Sequence, residues 1–183
     1  MKITVERVIS GDDIDCFYDL YRAAFEPLRT RAAARHLLTA EEFAADMAND
    51  RIDKIIAWSD IGTALGLTIV TADLSAIAWI EPQYYIDRYP GHAARHTLFY
   101  LGYVLVAPGG GGHGAFKALM EAVFQRCVEC RGVLVFDTCA HNARTAVGRA
   151  VARIPARYDA PVTVVDTQTY YVADFGAAHP GSL

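Results

Sequence analysis

Apolar and polar positions alternate over residues 1–8 with the two-residue period of a strand, and Ser10-Gly11-Asp12-Asp13 then supplies turn and N-cap chemistry. Ile14, Phe17, Tyr18, Tyr21 and Phe25 recur at helical spacing, which predicts an amphipathic helix that Pro27 interrupts. A second helical stretch is predicted over 29–38. Thr39 and Glu42 are spaced as a capping box, so a short helix is expected over 40–47 before Asn49-Asp50 stops it. Two strands follow at 54–58 and 64–70, with Ser59-Asp60-Ile61-Gly62 as the turn of an antiparallel hairpin. Residues 79–96, which contain Pro82 and Pro90, read as less regular. A long apolar strand at 97–106 ends at Pro108 and the glycines 109–112. From His113 the period becomes helical, placing Phe116, Leu119, Met120, Val123 and Cys127 on one face. A buried strand at 133–136 and a helix from Asn142 to about Val151 come next. Residues 161–166 and 169–174 read as two closing strands, and 176–183 as a loose tail.

This order shows no repeat and no linker, and 183 residues suit one domain, placed at 1–175. Hydrophobic residues at 53% and charged residues at 21% are the composition of a folded chain. A net charge of -4 offers no overall basic footprint for phosphates, which argues against nucleic acid as a main partner. No apolar run approaches bilayer length and the first residues lack a signal-peptide core, so a cytoplasmic protein with no membrane partner is expected. Cysteines at 16, 127, 130 and 139 are too few for a disulfide scaffold, and the Cys127/Cys130 pair falls at a helix end, away from the helix start where a thiolate is stabilised. Structural thiols are expected.

Strand, glycine run and helix in succession carry the most chemistry. Glycines let an anion approach the backbone, and a helix start adds unpaired N–H groups and partial positive charge, so the expected ligand is a phosphate. A P-loop would need Lys and Ser or Thr after the last glycine, where Ala115 and Phe116 stand. Gly109, Gly111 and Gly114 do match a dinucleotide fingerprint, with Asp137 after the next strand placed to hold a ribose. That alternative, an NAD(P)-dependent oxidoreductase, lacks chain after Asp137 for a second nucleotide-binding half.

The run from Val106 through Pro108, the glycines, His113, Gly114 and Phe116 to Met120 resembles motif A of the GNAT N-acetyltransferase family. Element order over nearly the whole chain is similar to that family, and Asn142 follows the fifth strand where the family often has Asn. Gly111 stands where the family usually has Arg or Gln, Phe116 where it has Gly or Ala, and Arg149 where it frequently has a tyrosine acid. The resemblance implies an α/β fold with a mixed, mostly antiparallel central sheet flanked by helices. It implies transfer of an acetyl or related acyl group from acetyl-CoA, as co-substrate, directly to a primary amine on a small molecule or peptide.

Under that resemblance, the amides of Gly111, Gly112, His113, Gly114, Ala115 and Phe116 hold the pyrophosphate. Val104, Leu105 and Val106 pair with the pantetheine and aim an N–H at the thioester carbonyl, where charge develops. Asn142 contacts the pantetheine region, and Arg144 or Lys117 a phosphate. The amine must lose a proton before attack, and Tyr103, His96 and His92 are the candidates, the histidines having suitable acidity. Solvent is expected to protonate the departing thiolate, with Tyr158 or Tyr171 as substitutes. Phe25, Tyr84, Tyr85 and His92 would line the acceptor, with Glu26, Arg29 and Tyr89 nearby. Few carboxylates accompany these aromatics, Glu81 and Asp87 being the available ones, which points to an acceptor that is not highly cationic. No metal site is expected, because His92, His96 and Asp87 form no dense ligand pattern. A homodimer is compatible with this reading. A non-catalytic acyl-CoA-binding protein on the same fold is the remaining alternative.

Overall fold

A computed structural model describes residues 1–11, 13–34, 37–108 and 112–174, with the backbone alone at 112, 113, 146, 147, 151 and 152. Its sheet has five strands, β1 (Lys2–Glu6), β2 (Asp53–Trp58), β3 (Ala64–Thr71), β4 (Leu98–Val106) and β5 (Val133–Phe136), in the order β1-β2-β3-β4-β5. The first three pairings are antiparallel, and β4 with β5 is parallel. Helices α1 (Asp13–Phe25), α2 (Ala40–Ala48), α3 (Pro82–Arg88) and α4 (Pro90–Ala94) belong to one face, α5 (Gly112–Glu129) to the other. The helices α6 (Ala140–Ala143) and α7 (Ala146–Arg153) follow β5. The expected mixed, mostly antiparallel sheet flanked by helices is therefore present. Among the described residues, no helix is long and apolar enough to cross a membrane.

Local chemistry explains several elements. At the start of α2 the Thr39 hydroxyl accepts from Glu42 N at 3.2 Å, and Glu42 Oε2 accepts from Thr39 N at 2.7 Å, completing the expected capping box. The β2–β3 hairpin closes through Ser59 N to the Thr63 carbonyl at 2.8 Å, with Gly62 at φ 83°, a backbone state that glycine adopts without steric cost. Two faces of the sheet carry two cores. Phe17, Tyr21, Phe43, Met47, Ile56, Leu67, Ile69, Tyr100 and Leu105 pack on the α1/α2 face, and Ile55, Val70, Phe99, Leu101, Ala115, Leu119, Met120 and Val123 under α5.

Four expectations differ from the structure. In place of a helix over 29–38, a 3-10 turn at Glu26–Thr30 leads into irregular backbone, pinned where Leu38 N donates to the Tyr21 hydroxyl at 3.1 Å. Pro27 sits in the first turn of that 3-10 segment, where its missing N–H costs nothing, but the alanines after it offer no apolar stripe to extend a helix. Residues 79–96 are instead regular in part: α3 and α4 each begin at a proline, and Glu81 caps α3 by accepting from Gln83 N at 3.1 Å. The helix expected from Asn142 is two, because Thr145 ends α6 and starts α7, donating to the Asn142 carbonyl at 2.7 Å and accepting from Gly148 N at 3.1 Å. Residues 161–166 and 169–174 form no strands; Val162, Val164, Val165, Tyr170, Tyr171 and Val172 are exposed. Strand propensity acts through cross-strand packing, and here the Tyr84 hydroxyl, not a neighbouring strand, takes the Val165 carbonyl at 2.6 Å. The expected tail at 176–183 lies outside the described residues.

Candidate active site

A bulge in β4 builds the site. Thr68 and Val70 of β3 stand opposite Val104 and Leu101, so Gly102 and Tyr103 together face the single residue Ile69. The extra residue shifts the alternation of β4, which sends Tyr100 on one side of the bulge and Tyr103 and Leu105 on the other into the same α1/α2 core. A Cβ on Gly102 would lie 2.6 Å from Ile69 Cδ1 and Cγ1, so the bulge requires glycine there. The pairing of β5 with β4 spans Leu98–Val133 to Leu101–Phe136 and goes no further. Beyond Leu101 the two strands part, and among the described residues no strand pairs with the β5-facing edge of 102–106. That edge presents unpaired backbone donors and acceptors.

The start of α5 comes next in the chain after β4. Gly114, in its first turn, is exposed, and a Cβ there would meet only Met1 Cε at 3.8 Å. Ala115 is buried and Phe116 half-buried under the sheet, so the side chains of these two expected phosphate-binding residues serve packing while their amides belong to the helix start. Gly111 lies outside the described residues, and of Gly112 and His113 only the backbone is described. Val104 and Val106 side chains pack on the α5 face and Leu105 on the other. Asn142 lies in α6 with its backbone N–H donating to Cys139 Sγ at 3.4 Å, and Arg144 is exposed just beyond it.

No family model matches the chain, and no curated protein matches it in sequence. Solved structures do match. A probable acetyltransferase superposes with a TM-score of 0.58 at 13% identity, covering 95% of this chain and 99% of that one. A ribosomal-protein-alanine N-acetyltransferase from Brucella melitensis biovar Abortus 2308 gives 0.51 at 14% identity, covering 95% and 100%. An aminoglycoside N-acetyltransferase in complex with CoA gives 0.50 at 15% identity, covering 93% and 95%. This chain has the GNAT acetyltransferase fold. A dinucleotide-binding sheet would be mostly parallel, whereas among the described residues this sheet has one parallel pair and three antiparallel ones.

Within the GNAT fold the three candidate proton carriers do not converge. Tyr103 is 7% exposed, ringed by Tyr21, Phe25 and Phe43 at centroid distances of 5.2, 6.3 and 6.1 Å. Its hydroxyl and Asp46 Oδ2 are buried and interact electrostatically without completing a hydrogen bond of ordinary geometry. Burial, followed by the Asp46 carboxylate, pushes the Tyr103 phenol well above its ordinary value, so it keeps its proton. His96 is exposed six residues before Gly102, about 20 Å along an extended chain, at the end of β4 away from the splay. His92 Nδ1 is 3.1 Å from Thr97 Oγ1 at the same end. Tyr158 packs on Phe124 of α5 at 6.1 Å, on the opposite face of the sheet from Tyr103, and Tyr171 is exposed. Burial pushes the Cys127 thiol up to about 12, which keeps it from acting as a thiolate.

The acceptor candidates divide in two. Phe25 stacks on Tyr21 at 4.9 Å beside Tyr103, and is not among the residues that line the cavity of about 570 Å³ formed by Tyr18, Arg29, Leu37, Leu38 and Thr39. Tyr84 already carries Arg88 over its ring at 3.9 Å, with Tyr85 edge-on at 5.1 Å. The expected scarcity of carboxylates does not hold here: besides burial, Asp137 and Asp166 raise the Tyr85 hydroxyl. Two more arginines, Arg153 and Arg157, stand beside Arg149. Arg149, Arg153 and Arg157 line a shallow cavity of about 590 Å³, and among the described residues none pairs with a carboxylate. Their four-residue spacing from α7 into the following 3-10 turn is the signal that could have found them.

Asp46 and Lys54 make this side of the fold sensitive to pH. Lys54 is fully buried and donates to the Arg7 and Asn49 carbonyls at 2.8 and 2.6 Å, closing the end of α2. Burial outweighs their mutual attraction, lowering Lys54 to about 8 and raising Asp46 to about 6. Asp46 therefore adds stability that is fully present below its ordinary value of 3.8 and lost as pH rises through about 6. The Lys54 contribution is present above 10.5 and lost as pH falls through about 8. Urea midpoints should accordingly fall between pH 4 and 6 in the wild type, and Asp46→Asn should remove most of that fall. An equally steep fall in Asp46→Asn would assign it to other groups.

Proposed function

We propose that this chain is a GNAT-family N-acetyltransferase that moves an acetyl group from acetyl-CoA to a primary amine by direct attack. The observation that carries this reading is the parting of β4 and β5 at Leu101, followed in the chain by the start of α5. Pantetheine can occupy the free edge of 102–106 as an added strand, with the backbone N–H of Val104 or Val106 directed at the thioester oxygen; Leu105, opposite Leu67 in the register that bonds Ala107 N to the Leu65 carbonyl, turns its N–H to β3 instead. That donor is worth most in the transition state, where the oxygen becomes an anion. The amides of Gly112 through Phe116 receive the pyrophosphate, assisted by the partial positive charge of an 18-residue helix. Arg144, Arg149 and Arg153 offer guanidiniums to the remaining phosphate, and Asn142 reaches the pantetheine from α6. The CoA complex of one similar structure supports the co-substrate assigned here.

The test is thiol release from acetyl-CoA in the presence of spermidine, an aminoglycoside and an alanyl peptide amide. Amine-dependent release with one acetylated product per thiol is expected. Binding of acetyl-CoA without release for any amine would instead favour a non-catalytic acyl-CoA-binding protein.

A further inference from the structure

A carboxylate stands where the strands part, and the acyl-transfer reading leaves it without a role. Asp137 is the first residue after β5, and continuing the register in which Leu101 faces Phe136 brings it level with Gly102 in the bulge. Side-chain alternation puts Val133 and Val135 on the α1/α2 face and Leu134 and Phe136 on the other, so Asp137 belongs to the α1/α2 face. The Tyr100 hydroxyl donates to Asp137 Oδ1. Trp79 Nε1 donates in turn to the Tyr100 oxygen at 2.9 Å, and its ring passes 3.6 Å from the position a Cβ on Gly102 would take. Three groups that lie 21 and 37 residues apart in sequence thus form one hydrogen-bonded chain at the bulge.

Its outer members face solvent: Trp79 is 44% exposed and Asp137 is exposed. Among the described residues no lysine, arginine or histidine pairs with Asp137, although the chain supplies 17 Lys and Arg. The other titratable groups turned toward it are Tyr100 from β4, Tyr85 from α3 and, beyond Tyr85, Tyr84 and Asp166. A carboxylate without a cationic partner, linked through Tyr100 to a partly exposed indole and near the phenols of Tyr85 and Tyr84, is a setting for an organic cation, held by charge and by the ring quadrupole.

We propose that Asp137 binds the ammonium of the acceptor at the mouth of the splay and takes its proton, while Tyr100 fixes the carboxylate and Trp79 covers the cation. This inference rests on the acyl-transfer reading and names within it the base and the acceptor class, a cationic primary amine. One ammonium proton passes to Asp137 Oδ2, and the freed nitrogen lone pair attacks the thioester carbon, forming the C–N bond. As the carbonyl re-forms, the C–S bond breaks and sulfur leaves with the electron pair. The second nitrogen proton reaches the sulfur through solvent, and Asp137 returns its own proton to water. The products are an amide, the CoA thiol and one proton.

Kinetics of Asp137→Asn with the best of the three amines should show a fall in kcat/KM of about 100-fold at pH 7, with acetyl-CoA affinity unchanged. The deficit should shrink as pH approaches about 10, where free amine no longer needs a base. Asp137→Glu should recover part of the rate. Tyr100→Phe, a change at a positioning residue, should lose about 10-fold with the same pH trend. Trp79 emission, read in a Trp58→Phe background, should respond to spermidine without turnover, and Asp137→Asn should weaken that response. An Asp137→Asn enzyme with wild-type kcat/KM, a deficit that is constant across pH, or Trp79 emission indifferent to spermidine would each overturn the inference while leaving acetyl-CoA binding intact. Failure of the wild type to bind acetyl-CoA would remove the acyl-transfer reading, and this inference with it.

Discussion

Gly114→Asp is expected to weaken acetyl-CoA binding by at least about 100-fold in calorimetry while the protein melts no lower than wild type. The two halves of that result have different causes. Gly114 is exposed in the first turn of α5, and a Cβ there meets only Met1 Cε at 3.8 Å, so the fold has room for the side chain. Aspartate near a helix start also interacts favourably with the helix dipole and replaces the poorest helix former after proline. The same carboxylate would sit among the amides assigned to the pyrophosphate. Like charges about 4 Å apart near a protein surface repel by about 4 kcal/mol, more than the 2.7 kcal/mol or so of a 100-fold loss. Gly114→Ala should retain binding. Equal affinity in wild type and Gly114→Asp would place the phosphates elsewhere.

Gly102→Val should destabilise the fold by about 3 kcal/mol or more, the upper part of the range for forcing atoms into a packed core. Strand propensity alone predicts the opposite sign, because valine favours strands and glycine weakens them. The clash decides: a Cβ would stand 2.6 Å from Ile69 Cδ1 and Cγ1, and Ile69 is fully buried. A companion Ile69→Ala should restore part of the loss, giving a coupling in the double-mutant cycle that independent sites would not show. Denaturant midpoints of the four proteins measure it. A Gly102→Val variant as stable as wild type would mean that the bulge tolerates a side chain.

The elements legible in the sequence are those whose cause is local. Thr39 and Glu42 lie three residues apart and meet in the structure as the spacing requires, and the Ser59–Gly62 turn joins neighbouring strands. The splay was only half legible. Val104, Leu105 and Val106 could be assigned to pantetheine through a family resemblance, but the bulge that frees their edge depends on two β4 residues facing one on β3, a fact of pairing. Asp137 was visible only as a ribose ligand for the dinucleotide alternative, because nothing in the sequence tells that Tyr100 and Trp79 reach it. Residues 79–96, with Pro82 and Pro90, read in the sequence as less regular, whereas each proline occupies a helical first turn that suits it. Residues 161–174 have the composition of strands, and composition does not say whether a neighbour will pair.

The most direct measurement of the central claim is backbone hydrogen exchange with and without saturating acetyl-CoA. If pantetheine completes the free edge of β4 and the pyrophosphate rests on the start of α5, the amides turned to that edge, those of Val104 and Val106, and those at 112–115 should slow together by ten-fold or more. The reason is that each would exchange a solvent partner for a buried one. Exchange at 102–106 unchanged at saturation, with protection confined to other segments, would contradict the account.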